Sequence, residues 1–195
     1  MSESGSDRQR NVVPHPRFGD QSVPSGYRVP FELIRACYCY DRPPVFPESA
    51  IPADISRQNF SVRPRYCYVD MLKGCRKCGR DFIFFAREQQ YWYEELGFWV
   101  DADCVHCPEC RRSNQHLRQR LKRFSHTMGR DAIGNEELAT LVEDAVYLFE
   151  AGVLRNEQKL RRLKNLAATS IPESAARQAI EELVSKIESG RGTVL

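Results

Sequence analysis

Four of the eight cysteines in this chain are spaced for metal chemistry. Cys75-Arg76-Lys77-Cys78-Gly79 and Cys107-Pro108-Glu109-Cys110-Arg111 are two Cys-x-x-Cys pairs with 28 residues between them. Each pair folds as a tight turn that brings both sulfurs to one point, and Gly79 can take the positive φ such turns often need. Two pairs at this distance predict a two-knuckle site of four thiolates. Zn²⁺ is the expected occupant, one per chain, with iron as the alternative, because soft thiolates in a tetrahedron suit both. Four protein ligands leave no open position for an activated water, so the expected role of the ion is structural.

The same cysteines admit other chemistries. Cys107-Pro108-Glu109-Cys110 alone has the form of a thioredoxin-like redox pair, and a disulfide framework would need an oxidising compartment. Two pairs in one short segment favour shared ligation. Cys104, in Cys104-Val105-His106-Cys107, competes with Cys110 for the fourth position; Pro108 and Arg111 favour Cys110 and leave Cys104 a free, packed thiol. Cys37, Cys39 and Cys67 raise a second site, with Cys104 or His15 as a further ligand, but their spacing matches no closed zinc template. The four histidines (His15, His106, His116, His126) fall into no catalytic metal motif. Cys-Val-His-Cys-Pro-Glu-Cys has the wrong order for a zinc deaminase. The expectation is a protein that is not an enzyme and has no small-molecule substrate.

The knuckles need elements to hold them. Arg65 to Asp70 reads as a strand feeding the first knuckle, and Phe82-Ile83-Phe84-Phe85 as a second strand. Glu88 to Leu96 reads as a short helix with Trp92 and Leu96 on one side. Gly97 then takes the left-handed position after the helix, and Phe98 folds back onto Tyr93 in a Schellman contact. The many aromatic residues here are read as core, since so small a domain has little else to bury. One or two exposed rings would suit base stacking.

Cys75-x-x-Cys78-Gly79, Phe82 to Phe85, Glu88-Gln89, Tyr93, Gly97-Phe98 and Cys107-Pro108-x-Cys110-Arg111 together resemble a bacterial family known as the probable zinc-ribbon domain. The resemblance covers about 40 of the 195 residues. It implies a zinc ribbon with Cys75, Cys78, Cys107 and Cys110 as ligands, and it implies no particular reaction, because that family has no agreed activity. A rubredoxin-like iron electron carrier has similar knuckles; Arg111, where a rubredoxin usually places glycine, weighs for zinc. A protein-interaction adaptor and a thiol redox sensor on Cys104 or the Cys37/Cys39 pair complete the alternatives.

With 42% hydrophobic and 28% charged residues the chain reads as soluble and globular. Neither an apolar leader at the N-terminus nor a membrane-length apolar run is present, and a reducing cytoplasm is expected. Residues 1–30 are polar with scattered proline and read as a disordered arm. Nine of the eleven prolines lie between Pro14 and Pro64, so 31–64 reads as a Pro-rich, mainly extended segment packing on the ribbon of 65–112.

A basic helix or linker follows over 113–130. From Arg111 to Arg123 six of thirteen residues are Lys or Arg and none is acidic. Leu117, Leu121 and Phe124 predict an apolar seam, and Arg118, Arg120, Lys122 and Arg123 are candidate nucleic-acid contacts. Two other uses of this charge compete. Arg76, Lys77, Arg80, Arg111 and Arg112 would offset the net −2 of a four-thiolate zinc centre, and the acids of Asp131 to Glu150 would pair with the basic helix. The partner is therefore read as protein or nucleic acid. Over 131–190 three amphipathic helices are predicted: one capped by Asn135 with Leu138, Leu141, Val142, Ala145, Leu148 and Phe149 inward; one over about 156–168 burying Leu160, Leu163, Leu166 and Ala167; and one capped at Ser170-Ile171-Pro172-Glu173. The fold class is small α+β: a zinc ribbon with a short inserted helix, followed by an α-helical bundle.

Overall fold

The computed structural model describes residues 12–37, 45–130 and 132–191. The chain divides into two compact units, Met1–Arg112 and Ser113–Leu195. Among the described residues no helix is long and apolar enough to cross a membrane.

The first unit is built on a three-stranded antiparallel sheet in the order β1 (Val45–Pro52), β2 (Cys67–Gly74), β3 (Asp81–Phe84). Residues Cys67 to Met71 are all buried, as a central strand covered on both faces requires. The β2–β3 register pairs Met71 with Phe84 and Gly74 with Asp81, so the first cysteine pair lies at the hairpin tip. In β1 the register slips between Phe46 and Ile51, around Pro47, which has no N–H to give to a ladder. A short helix, α1 (Phe31–Cys37), contributes Ile34 to the core beside β2.

Residues 12–30, expected as part of a disordered arm, instead form a strap with defined partners. Val13 is 1% exposed and pairs in parallel with Phe82, its N–H donating to the Asp81 carbonyl at 2.8 Å. His15 stacks on Phe18 at 4.7 Å, and both rings touch Phe85. Ser22 Oγ donates to Asp70, and Ser25 N–H to the Glu48 carbonyl in the bulge of β1. Polar composition hides such a strap, because a few well-placed side chains hold it without any periodic apolar pattern.

The helix after β3 is α2 (Ala86–Gln90), which opens into a π turn over Tyr91–Glu95. The extra residue in that turn corrects the expected contact of Phe98. In a regular α-helix ending at Leu96 the Phe98 N–H would reach the Tyr93 carbonyl. Here it reaches the Trp92 carbonyl at 3.0 Å, and the Phe98 ring packs edge-on against Trp92 at 5.5 Å. Gly97 does take the positive φ, +65°. Tyr93 turns inward instead, where its hydroxyl donates to the Ala102 carbonyl.

The second unit consists of helices. α3 (Pro108–Met128) opens in the first unit with proline at its first position, where a missing N–H costs nothing, and runs on through the second. α4 (Asn135–Glu150), α5 (Glu157–Ser170) and α6 (Ala175–Arg191) pack pairwise. Their shared core holds Leu138, Leu141, Leu148, Leu160 and Ile180, all 2% exposed or less; each such side chain contributes about 1.5–3 kcal/mol through burial.

Several boundaries and stripe positions differ from expectation. α4 is capped at Gly134, whose N–H donates to Glu137, rather than at Asn135. α5 runs on through Ser170, so Ser174 caps α6 by accepting from the Arg177 N–H at 3.2 Å. Leu121 and Leu166 are 40% and 43% exposed instead of inward. Each falls at the margin of its apolar stripe, where turning by part of a helical step is enough to reach solvent. Asn156 caps α5 through the Lys159 N–H.

Candidate metal centre

The first knuckle follows from the hairpin. β2 ends at Gly74, the Cys75 N–H donates to the Arg80 carbonyl, and the Gly79 N–H returns to the Cys75 carbonyl, both at 2.9 Å. Gly79 sits at φ +74°, a conformation in which a side chain would be strained. The second knuckle is formed differently. Cys107 immediately precedes α3 and Cys110 lies in its first turn, where the Arg111 N–H donates to the Cys107 carbonyl. The Arg76 N–H donates to the Val105 carbonyl at 2.9 Å and ties the two knuckles together.

The sulfurs of Cys75, Cys78, Cys107 and Cys110 all lie within 4.8 Å of one another, with Cys78 and Cys107 at 3.9 Å. A tetrahedron with zinc–sulfur bonds of about 2.3 Å has edges of about 3.8 Å, so the donor set fits Zn²⁺ in size and chemistry. Three of the four residues are buried and Cys78 is exposed.

The four thiols divide into two that are easier to ionise than a free cysteine and two that are harder. Burial raises the Cys75 thiol, but the backbone N–H groups of Cys107, Cys78 and Lys77 outweigh it and bring the thiol down to about 6. The Arg80 backbone and guanidinium lower Cys78. Burial, and then its sulfur neighbours, push Cys110 up to about 12, and burial raises Cys107. Four sulfurs at this distance cannot all ionise unaided; a divalent cation held by them would supply the missing positive charge and would cross-link the hairpin tip to the start of α3.

The surrounding charges are placed more specifically than simple neutralisation of the site. Arg80 pairs with Glu109. Arg111 turns away from the sulfurs to Glu88, at 2.6 Å, and lies over the Trp92 ring at 5.1 Å. Trp92 is also packed by Phe84. This anchors the first turn of α3 to α2.

Cys104 lies outside the four-sulfur cluster. It is 1% exposed, burial pushes its thiol up to about 12, and its Sγ faces the His106 carbonyl at 3.5 Å. Cys67 is likewise buried. Cys39 and the thiol of Cys37 lie outside the described residues. His15, weighed as a ligand with them, has both ring nitrogens engaged: Nδ1 accepts from the Arg17 and Phe18 N–H groups, and Nε2 faces Glu88 at 3.5 Å. Among the described residues the four cysteines form the one potential metal cluster. Cys104→Ser is therefore expected to retain its zinc in full when metal content is measured after gel filtration.

In the second unit the four candidate phosphate contacts separate into two pairs. Arg120 and Arg123 both grip the fully buried Asp144 of α4, with bonds of 3.0, 2.6 and 2.7 Å, and Arg120 also lies over Tyr147 at 4.5 Å. Arg118 and Lys122 are exposed. Asp144 differs from the other acids of α4 in its place among the inward residues of the helix, the one signal in the sequence that could have found it.

Residues 69–119 match the model of a family described as probable treble clef domain. This segment contains all four clustered cysteines, and the ribbon expected from the sequence takes treble-clef form: a knuckle at a hairpin tip and a second pair at the start of a helix. Comparisons with curated proteins and with solved structures found no match.

Proposed function

We propose that the chain is a zinc-stabilised, non-catalytic binding module that engages nucleic acid through the exposed cationic side of α3. The observation that carries the partner is a helix surface with no acidic residue from Ser113 to Met128, on which Arg118 and Lys122 stand exposed beside Gln115, His116, Gln119 and His126. Such a face gains affinity by releasing counterions from phosphates, without reading sequence. The closed four-sulfur set supports the non-catalytic part, because four protein ligands leave a bound ion no position for substrate.

Zinc-loaded protein should be colourless with one zinc per chain; a red preparation containing iron would favour the electron-carrier reading. Because Asp144 already holds Arg120 and Arg123, only two free cations are assigned to phosphate. Two contacts on duplex DNA give a log–log salt slope of about −1.8. Fluorescence anisotropy at low salt should show weak, sequence-independent binding with that slope, abolished in Arg118→Glu/Lys122→Glu while zinc content stays unchanged. Absence of binding to both DNA and RNA at low salt would leave the module with a protein partner.

A further inference from the structure

A cavity of about 170 Å³ opens in the first unit between the strap, β1 and the start of α2. Comparable volumes in protein interiors admit a benzene-sized molecule. Phe18 and Phe85, with ring centroids 5.2 Å apart, supply aromatic wall, and Val23, Pro24 and Ile51 supply aliphatic wall. The charged group in the lining from β2 is Asp70, only 4% exposed.

Asp70 is held but not neutralised. Its Oδ1 accepts from the Ala86 N–H at 2.6 Å and its Oδ2 from Ser22 Oγ at 2.8 Å, and the Val23 N–H also faces it. All three donors are neutral, while the charge acting on it is that of Glu48, of the same sign. Among the described residues no Lys, Arg or His forms an ion pair with it. Burial raises its carboxyl above the ordinary range, against the pull of those donors. A buried carboxylate without a counter-charge is unfavourable, and aromatic faces attract cations.

We propose that this cavity binds a small organic ammonium ion, its charge set against the Asp70 carboxylate and its methyl or methylene groups against Phe18 and Phe85. Arg87 borders the same cavity and is exposed; its like charge opposes the ligand, so affinity is on the order of millimolar. Six of the ten lining residues come from 18–51, outside the segment that matches the treble-clef family, so the site is a feature of this chain rather than of that domain. It stands independently of the nucleic-acid reading.

The test is a titration of the zinc-loaded full chain, followed by amide NMR at constant ionic strength, with tetramethylammonium and, separately, with tert-butanol of nearly equal size. Saturable shifts at Ser49, Ile51, Asp70 and Ala86 are expected with the cation and not with the alcohol. An equal response to tert-butanol, or no saturable response to the cation, overturns the proposal. Asp70→Asn should weaken binding at least tenfold, and wild-type affinity in a folded Asp70→Asn variant overturns it too. Should loss of the Asp70 bond to the start of α2 leave that variant unfolded, Val23→Lys decides. Val23 is 67% exposed at the mouth, and a lysine there supplies a tethered ammonium without touching the core. It should abolish the response to tetramethylammonium; an undiminished response overturns the proposal.

Discussion

Serine at any one of Cys75, Cys78, Cys107 or Cys110 should abolish tight zinc retention and unfold the first unit. The hydroxyl is a far poorer ligand than a thiolate, and the remaining three sulfurs still crowd one another without a cation to hold them. These cysteines are also structural neighbours of the core: Cys75, Cys107 and Cys110 pack in one cluster with Phe82 and Phe84. Apparent binding free energies of structural zinc are about 10–16 kcal/mol in small zinc-dependent folds. Typical domain stabilities are only about 5–15 kcal/mol, so losing even half of the metal term suffices. Elemental analysis after gel filtration reads the metal. Intrinsic tryptophan fluorescence reads the fold, because Trp92 and Trp99 both belong to the first unit. Retention of zinc by Cys110→Ser together with its loss from Cys104→Ser would assign the fourth ligand to the wrong sulfur.

The second large effect belongs to the other unit. Arg120→Ala/Arg123→Ala should cost about 3–5 kcal/mol, because it leaves the Asp144 carboxylate buried with no cation. The reverse change, Asp144→Leu, should cost clearly less. The arginine side chains are 35% and 50% exposed and can return to water, whereas Asp144, at 0%, cannot. Urea denaturation followed by helix circular dichroism separates the two variants, since α4, α5 and α6 belong to the second unit. The tryptophan signal of the first unit should move little. Equal losses in the two variants would mean that the bonds themselves, rather than the stranded charge, set the cost. The same asymmetry explains why the nucleic-acid test spares Arg120 and Arg123: reversing their charge would destabilise the bundle before it reported on phosphate.

The parts legible in the sequence are those that repeat or pair by fixed spacing. Two Cys-x-x-Cys pairs announce one metal centre because ligation demands that spacing, and the stripes of α4, α5 and α6 announce helices because burial demands a period of 3.6 residues. What escaped has no period. Val13 fills one position at the side of β3, and a lone Val12-Val13 pair before Pro14 carries no periodic apolar pattern to signal it. The π turn shifts the partner of Phe98 by one residue through a local widening that no residue type encodes. Which of two glycines, asparagines or serines caps a helix depends on where the preceding helix stops, as Ser174 shows for α6. The choice of Arg120 and Arg123 over Arg118 and Lys122 is made by Asp144, 24 and 21 positions further on.

The strap has one further consequence. A three-stranded sheet has two open sides, each a row of backbone donors and acceptors that can recruit a strand from another molecule. Val13 occupies the β3 side through its bond to Asp81, and the β1 side is interrupted by the slip around Pro47 and tied there by Ser25. The strap therefore acts as a guard against edge-to-edge aggregation as well as a wall of the cavity. A chain cut back past residue 30 would keep its cysteines and its metal chemistry, yet present β3 as a bare template for strand addition.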